Sequence, residues 1–92
     1  MAKRTGWRFS SQEVFSYFEL SPHYAILEIN PPNSWLDKSL SDLHIRSKHN
    51  LNVIAYKINE QVFPMTSASY VFKRGEHIYL AGAEKDLMKL HL

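Results

Sequence analysis

Hydrophobic and polar positions alternate over residues 24–29, which predicts a β-strand. Ala25, Leu27 and Ile29 fall on one face of this segment, the period of two expected of a strand with one buried face. Two consecutive prolines follow the next asparagine. Because proline cannot donate a hydrogen bond to a sheet, they end the strand.

A second β-rich region predicts a hairpin. Residues 52–58 are rich in β-forming side chains, Asn59 and Glu60 suit a two-residue turn, and residues 61–63 return as the partner strand. After a polar loop and a glycine-containing turn, residues 77–81 again have the composition of a strand. This half of the chain is therefore expected to be mainly antiparallel sheet.

Helix signals occur in two places before the hairpin. A Ser-x-x-Glu capping box begins at Ser10, and dense apolar residues continue to Phe18, which predicts a short first helix that docks on its own sheet or on a second subunit. A second box has Ser39 as its N-cap and predicts a helix running to about Lys48. Asn50 is the residue best suited to the left-handed conformation that ends it.

Residues 84–92 predict a terminal helix, which completes the order helix, strand, helix, hairpin, strand, helix. Strands and helices without regular βαβ alternation indicate the α+β class. Trp35 and Leu36, which follow the two prolines, are expected to anchor the core.

Composition narrows the function classes. The chain has 92 residues, 45% of them hydrophobic, which suits one compact domain. It has no cysteine, which excludes disulfides and thiolate metal sites. The net charge of +2 comes from scattered charges, which argues against nucleic acid as a partner. No apolar stretch approaches the roughly 20 residues that span a bilayer, so no direct membrane insertion is expected.

The sequence lacks the motifs of common catalytic and cofactor sites. None of the histidines has the spacing of a zinc site: His23, His44, His49, His77 and His91. With three glycines there is no phosphate-binding loop, and no serine lies in a nucleophile elbow. We therefore expect a protein that is not an enzyme and that holds neither a metal nor a cofactor.

Two long segments carry a family resemblance. Residues 35–57 read Trp-Leu-Asp-Lys-Ser-Leu-Ser-Asp-Leu-His-Ile-Arg-Ser-Lys-His-Asn-Leu-Asn-Val-Ile-Ala-Tyr-Lys, and residues 70–82 read Tyr-Val-Phe-Lys-Arg-Gly-Glu-His-Ile-Tyr-Leu-Ala-Gly. Their joint spacing resembles the consensus of the TrkA-C (RCK-C) regulatory domain family. Residues 14–21, Val-Phe-Ser-Tyr-Phe-Glu-Leu-Ser, resemble the lead-in found in gating subunits of Ktr-type potassium uptake systems.

The resemblance implies a fold and a domain organisation. It implies a small, dimeric α+β domain with a mainly antiparallel sheet and short helices, over residues 14–92. Residues 1–13 would form an N-terminal tail and the start of the first helix. Since this domain follows a nucleotide-binding domain in the family, we expect the chain to be a fragment of a longer protein rather than a standalone module.

The resemblance also implies a ligand. Family members in Gram-positive bacteria bind cyclic di-AMP at the dimer interface of this domain, which lowers potassium uptake. The positions that match the family's ligand site are Leu40, Ile45, Arg46, Leu51, Asn52 and Ala68. Arg46 suits a phosphate, Asn52 a phosphate or a base edge, and apolar residues would line the purine. Ala68 stands where the family commonly has proline.

Other interpretations of these residues stay open. Leu40 and Ile45 are also compatible with a purely core position. Arg46 is also compatible with a solvated position or an ion pair with Asp42 four residues earlier. Asn52 is also compatible with capping the turn before its strand.

The predicted role is that of a cytoplasmic regulatory domain at the inner face of the cell membrane. It would form a homodimer and reach a membrane potassium-translocating subunit through the full-length protein. The alternatives are a structural dimerisation module and a regulatory domain of a cation/proton antiporter or channel, neither binding a dinucleotide.

Overall fold

The computed structural model describes residues 14–89, in which an antiparallel five-stranded sheet carries short helices on one face. The strands are β1 (Val14–Ser21), β2 (Tyr24–Ile29), β3 (Asn52–Ile58), β4 (Gln61–Pro64) and β5 (His77–Ala83). The helices are α1 (Leu40–Leu43), α2 (Ile45–His49) and α3 (Glu84–Met88), with a 3-10 turn at Asn33–Trp35. The strand order in the sheet is β1-β2-β5-β3-β4. The predicted α+β class is confirmed.

The prediction of a first helix is wrong for the residues that the structure describes. Val14–Ser21 forms strand β1, paired with β2 from Val14 opposite Ile29 to Ser21 opposite Tyr24. Aromatic and β-branched side chains favour a pleated surface, and pairing along the edge of β2 outweighs the local capping signal. The rest of the predicted helix, residues 10–13, lies outside the described residues.

The other predicted strands are confirmed. Strand β2 ends at Ile29, ahead of the prolines. Strands β3 and β4 form the predicted hairpin, in which Asn59 and Glu60 have φ of 49° and 71°. Positive φ at both positions is typical of the type I′ turn that matches the twist of a hairpin. Strand β5 runs on to Ala83, past its predicted end.

The core lies between one face of the sheet and the helical segments. The sheet contributes alternate residues, with Ala25, Leu27 and Ile29 from β2 all buried. Buried residues from outside the sheet cover them: Trp35, Ile45, Leu51, Phe72 and Leu87. Trp35 is confirmed as a core residue at 4% exposure, whereas Leu36 is only half-buried.

The second predicted helix is present but divided. Ser39 is confirmed as the N-cap, and Asn50 is confirmed as the left-handed end with φ of 59°. Between them, His44 also has left-handed backbone (φ 50°) and separates α1 from α2. Helix α3 begins at Glu84 as predicted, and residues 90–92 of its predicted span lie outside the described residues.

The sheet face opposite the core is partly apolar and open. Phe18 and Tyr24 are 52% and 54% exposed, and Val62 on the far edge strand is 54% exposed. Phe18 lies opposite Ile26 in the β1–β2 pairing, so apolar side chains of neighbouring strands adjoin there. Among the helices within residues 14–89, none is long and apolar enough to cross a bilayer.

Candidate functional site

The α1–α2 segment and the start of β3 surround one cavity. Ser39 Oγ accepts a hydrogen bond of 3.1 Å from the Asp42 N–H, which fixes the first turn of α1. The left-handed His44 then redirects the chain into α2. At the end of α2 the Asn50 N–H donates to the Arg46 carbonyl at 2.9 Å. The chain then passes directly into β3, which brings the two elements together.

The cavity has a volume of about 730 Å³ and is lined by residues 40–41, 44–47, 51–53 and 65–68. All six residues assigned to a ligand site from the sequence line it: Leu40, Ile45, Arg46, Leu51, Asn52 and Ala68. The structure thus brings together side chains from α1, α2, β3 and the loop after β4. Their part in binding stays a prediction.

The loop after β4 is held against α1 by backbone hydrogen bonds. The Ser41 N–H donates to the Ala68 carbonyl at 2.9 Å, and the Leu40 N–H donates to the Tyr70 carbonyl at 2.8 Å. The side-chain oxygens of Ser67 and Ser69 lie 2.7 Å apart. Ala68 is exposed at the rim of the cavity, in a loop whose conformation is fixed without proline.

The apolar wall of the cavity is an extension of the core. Ile45 is 3% exposed and Leu51 is fully buried, whereas Leu40 is half-buried. A Cβ atom added at Gly82 of β5 would lie 2.4 Å from Leu51 Cδ2, so any other residue there would require Leu51 to shift. Ile45 and Leu51 therefore belong to the core and form the floor, and the accessible apolar surface comes from Leu40, Met65 and Ala68.

The polar side of the cavity centres on one side-chain pair. Arg46 Nε donates a hydrogen bond to Asn52 Oδ1 at 3.0 Å, and both residues are exposed. Arginine stays protonated at any physiological pH. With Nε engaged, its terminal nitrogens and the Asn52 Nδ2 group remain as donors, all of which suit an anionic acceptor.

The charge of the lining is positive. It contains Arg46 and His44, four hydroxyl side chains and no carboxylate. Within residues 14–89, no ion pair joins Arg46 to Asp42, because the arginine bonds to Asn52 instead. The sequence did not single out His44 as a site residue; a helix-breaking backbone at a non-glycine position could be seen only in the structure.

A second cavity of about 490 Å³ adjoins the first at Asn52. Its lining includes both Lys85 and Asp86, and Asp86 Oδ2 accepts a hydrogen bond of 3.0 Å from Asn50 Nδ2. Opposite charges in one lining give no clear preference for a charged ligand, so the first cavity is the stronger candidate.

A buried carboxylate on the outer sheet face was missed by the sequence analysis. Glu28 is 3% exposed; its Oε1 accepts a hydrogen bond from Ser16 Oγ at 2.8 Å, and its Oε2 lies 2.6 Å from His77 Nδ1 and 3.4 Å from Lys57 Nζ. Burial opposes ionisation, but the hydrogen bonds from His77 and Ser16 together with Lys57 outweigh it and lower the pKa of Glu28. The cluster links β1, β2, β3 and β5.

This cluster depends on strand register, which no local sequence pattern reveals. Its geometry is that of a structural ion-pair network, because each carboxylate oxygen is already engaged. Among residues 14–89, no three histidine, aspartate or glutamate side chains are grouped as in a metal site.

Comparison with known proteins gives a family match and two curated relatives. The sequence profile of the TrkA-C domain family matches residues 24–91. Ktr system potassium uptake protein C of Bacillus subtilis (strain 168) is 29% identical over 89 residues, which are 97% of this chain and 40% of that protein. Ktr system potassium uptake protein A of the same organism is 22% identical over the same shares. The chain therefore spans about 40% of the length of these relatives.

Solved structures share the fold. The RCK C domain of the potassium transport protein KtrA, solved in complex with cyclic di-AMP, matches with a TM-score of 0.63 and 23% identity, over 70% of this chain and 75% of that one. The RCK domain of GsuK matches with a TM-score of 0.65 and 17% identity, over 83% of this chain and 17% of that one. Both confirm the architecture described above.

Proposed function

The chain belongs to the TrkA-C domain family, and on that premise we propose that it is the cytosolic regulatory, ligand-binding domain of a potassium transport system. The ligand is cyclic di-AMP, bound where two copies of the domain meet. The names of two curated relatives, both Ktr system potassium uptake proteins, support the transport system. The KtrA RCK C domain in complex with cyclic di-AMP supports the ligand.

The Arg46–Asn52 hydrogen bond above an apolar floor carries this proposal. It holds a permanent cation at the mouth of the cavity, where a phosphodiester can accept charge-assisted hydrogen bonds from the free guanidinium nitrogens. Below it, Leu40 offers apolar surface for a purine. A phosphate and a purine base, joined through a ribose, make up each nucleotide unit of the ligand.

The size and charge of the cavity fit the same ligand. Its volume of about 730 Å³ lies within the roughly 300 to 1,000 Å³ typical of small-molecule sites. The absence of carboxylates from its lining leaves nothing to repel a phosphate. Ala68 lacks the rigid ring of proline, but the Ser41–Ala68 backbone hydrogen bond holds the rim of the cavity in place.

A homodimer follows from the symmetry of the ligand. Cyclic di-AMP has two identical halves, and a two-fold interface offers each half the same set of side chains. Arg46, Asn52 and Ala68 are exposed in the single chain, as residues that meet a partner across a shared ligand must be. Each subunit would contribute one cavity.

The domain would act without catalysis. In the full-length protein, binding in the cytoplasm would alter the geometry of the dimer, and the change would pass to a potassium-translocating subunit in the membrane. Binding alone would regulate transport, and no bond in the ligand would need to break.

A module that only dimerises is the second candidate, favoured by the open outer sheet face with Phe18 and Tyr24 more than half exposed. The two functions are separated by calorimetric titration with cyclic di-AMP, with cyclic di-GMP as the control. Saturable heat with cyclic di-AMP and none with cyclic di-GMP supports the sensor. A folded dimer that gives no heat at high micromolar ligand leaves only the dimerisation module.

A further inference from the structure

His44 lies at the one irregular point of the helical wall. Its backbone is left-handed, with φ of 50° and ψ of 46°, between α1 and α2. His44 is exposed and is one of the residues that line the same cavity as Arg46. The carbonyl of His44 accepts hydrogen bonds from the Lys48 N–H at 2.8 Å and from Ser47 Oγ at 3.3 Å, which anchor the junction.

At the break, two basic residues line one cavity. In a continuous helix, residues two apart point about 200° from each other and do not share a face. Here the left-handed residue interrupts the helix, and residues 44 and 46 both line the cavity. The junction therefore ends a helix and also lies in the lining of the cavity.

Histidine is tolerated in this backbone, although glycine is more usual there. Left-handed backbone is disfavoured for residues that carry a Cβ atom, and it is found at functional sites as well as in turns such as Asn59–Glu60. Glycine or asparagine would form the same junction at lower cost. His44 differs from those residues in its imidazole ring, and the cavity that it lines contains no carboxylate.

We propose that His44 is a second ligand-contacting group of this cavity, which donates a hydrogen bond to a phosphate of the dinucleotide and does so most strongly when protonated. The proposal rests on the proposed function, since it takes cyclic di-AMP as the ligand. It makes affinity depend on pH, because histidine is the side chain whose charge ordinarily changes between about pH 5 and pH 8.

Charged residues flank His44 in the sequence. Asp42 on α1 is the nearby acid, and Arg46 and Lys48 on α2 are the nearby bases. The cavity-lining residues of β3 and of the loop 65–68 include no titratable side chain. A bound phosphate brings the negative charge that favours the protonated ring, so ligand binding and proton binding reinforce each other.

The test is calorimetric titration with cyclic di-AMP at about pH 6 and about pH 8, where histidine is the only ordinary side chain that titrates. The phosphodiester groups of the ligand stay ionised throughout. His44→Asn keeps a residue that tolerates left-handed backbone. His23→Gln is the matched control, since His23 is exposed in the β1–β2 turn, away from the cavity.

For the unsubstituted chain and His23→Gln, affinity is expected to rise roughly five- to tenfold from the higher to the lower pH, as for one added charge-assisted hydrogen bond. His44→Asn should bind with nearly the same affinity at both. Should His44→Asn fold poorly by circular dichroism, His44→Gly gives the same comparison. An unchanged pH response in these variants overturns the role of His44 alone; no binding by the unsubstituted chain at either pH overturns the proposed function with it.

Discussion

Arg46 Nε donates a hydrogen bond to Asn52 Oδ1 at 3.0 Å, which ties the first turn of α2 to the first residue of β3. The bond lies at the surface, where neither side chain is needed to hold the core. An exposed neutral-to-charged hydrogen bond contributes little to folding. Its main consequence is the fixed position of a guanidinium at the mouth of a cavity.

The first prediction concerns the charge of Arg46. Arg46→Ala should weaken cyclic di-AMP binding roughly 10- to 100-fold, because it removes charge-assisted hydrogen bonds to a phosphate. Lys48→Ala is the matched control, since Lys48 is an exposed cation on the same helix outside the cavity lining. Isothermal titration calorimetry gives the affinities, and thermal unfolding should show similar stability for both variants. Equal losses of affinity in Arg46→Ala and Lys48→Ala would mean that the overall positive charge of the helix matters and that Arg46 makes no specific contact.

The second prediction concerns the way Asn52 acts. Asn52 holds the Arg46 guanidinium in place through its hydrogen bond. Asn52→Ala should therefore reduce ligand affinity by about three- to tenfold, because the freed arginine side chain would lose conformational freedom on binding. In a chain that already carries Arg46→Ala, the same substitution should change affinity very little. A double-mutant cycle measures this coupling. Full additivity would show that Asn52 contacts the ligand independently.

The sequence predicted most of the fold because its signals were local. Capping by Ser39, the left-handed Asn50 and the β3–β4 turn each depend on a few neighbouring residues, and all three are confirmed. Strand β1 was misassigned because a capping box and dense apolar residues favour a helix locally. The pairing with β2 that makes this segment a strand is a tertiary interaction.

The site could be predicted only in part, for similar reasons. Family spacing selected six residues that the structure gathers around one cavity. The Arg46–Asn52 bond depends on side-chain geometry. The position of His44 depends on a helix break, and the Glu28 cluster depends on the register of four strands. None of these has a short sequence signature.

The third prediction concerns Glu28 and acid stability. Its pKa is lowered in the folded protein, so its ionised form stabilises the fold above the ordinary glutamate value of about 4.3. That contribution is lost as the pH falls from there through the lowered folded value. Glu28→Gln should therefore reduce the free energy of unfolding at pH 7 by about 1–3 kcal/mol, and the difference should shrink in acid.

Urea denaturation at neutral pH and at about pH 3, below the ordinary glutamate pKa, measures this difference. Glu19→Gln is the control, because Glu19 is exposed on β1 and its loss should change stability little at either pH. A Glu28→Gln deficit that is constant across pH would point to packing rather than ionisation.

The fourth prediction concerns the glycine behind the cavity floor. An alanine Cβ at Gly82 would lie 2.4 Å from Leu51 Cδ2, and Leu51 is fully buried and lines the cavity. Gly82→Ala should therefore cost about 1–3 kcal/mol of stability and also weaken ligand binding by narrowing the cavity. Gly75→Ala is the contrast: its φ of 96° makes alanine strained, but the surrounding space is open. It should lower thermal stability and leave affinity unchanged.

The stoichiometry of binding tests the central claim most directly. Calorimetry with cyclic di-AMP, together with light scattering of the complex, gives the number of ligands per chain and the mass of the assembly. We expect one ligand for every two chains in a dimer, as a two-fold interface requires, and weaker binding with the same stoichiometry in Arg46→Ala. One ligand per monomer, or a folded dimer that binds none, would contradict the account.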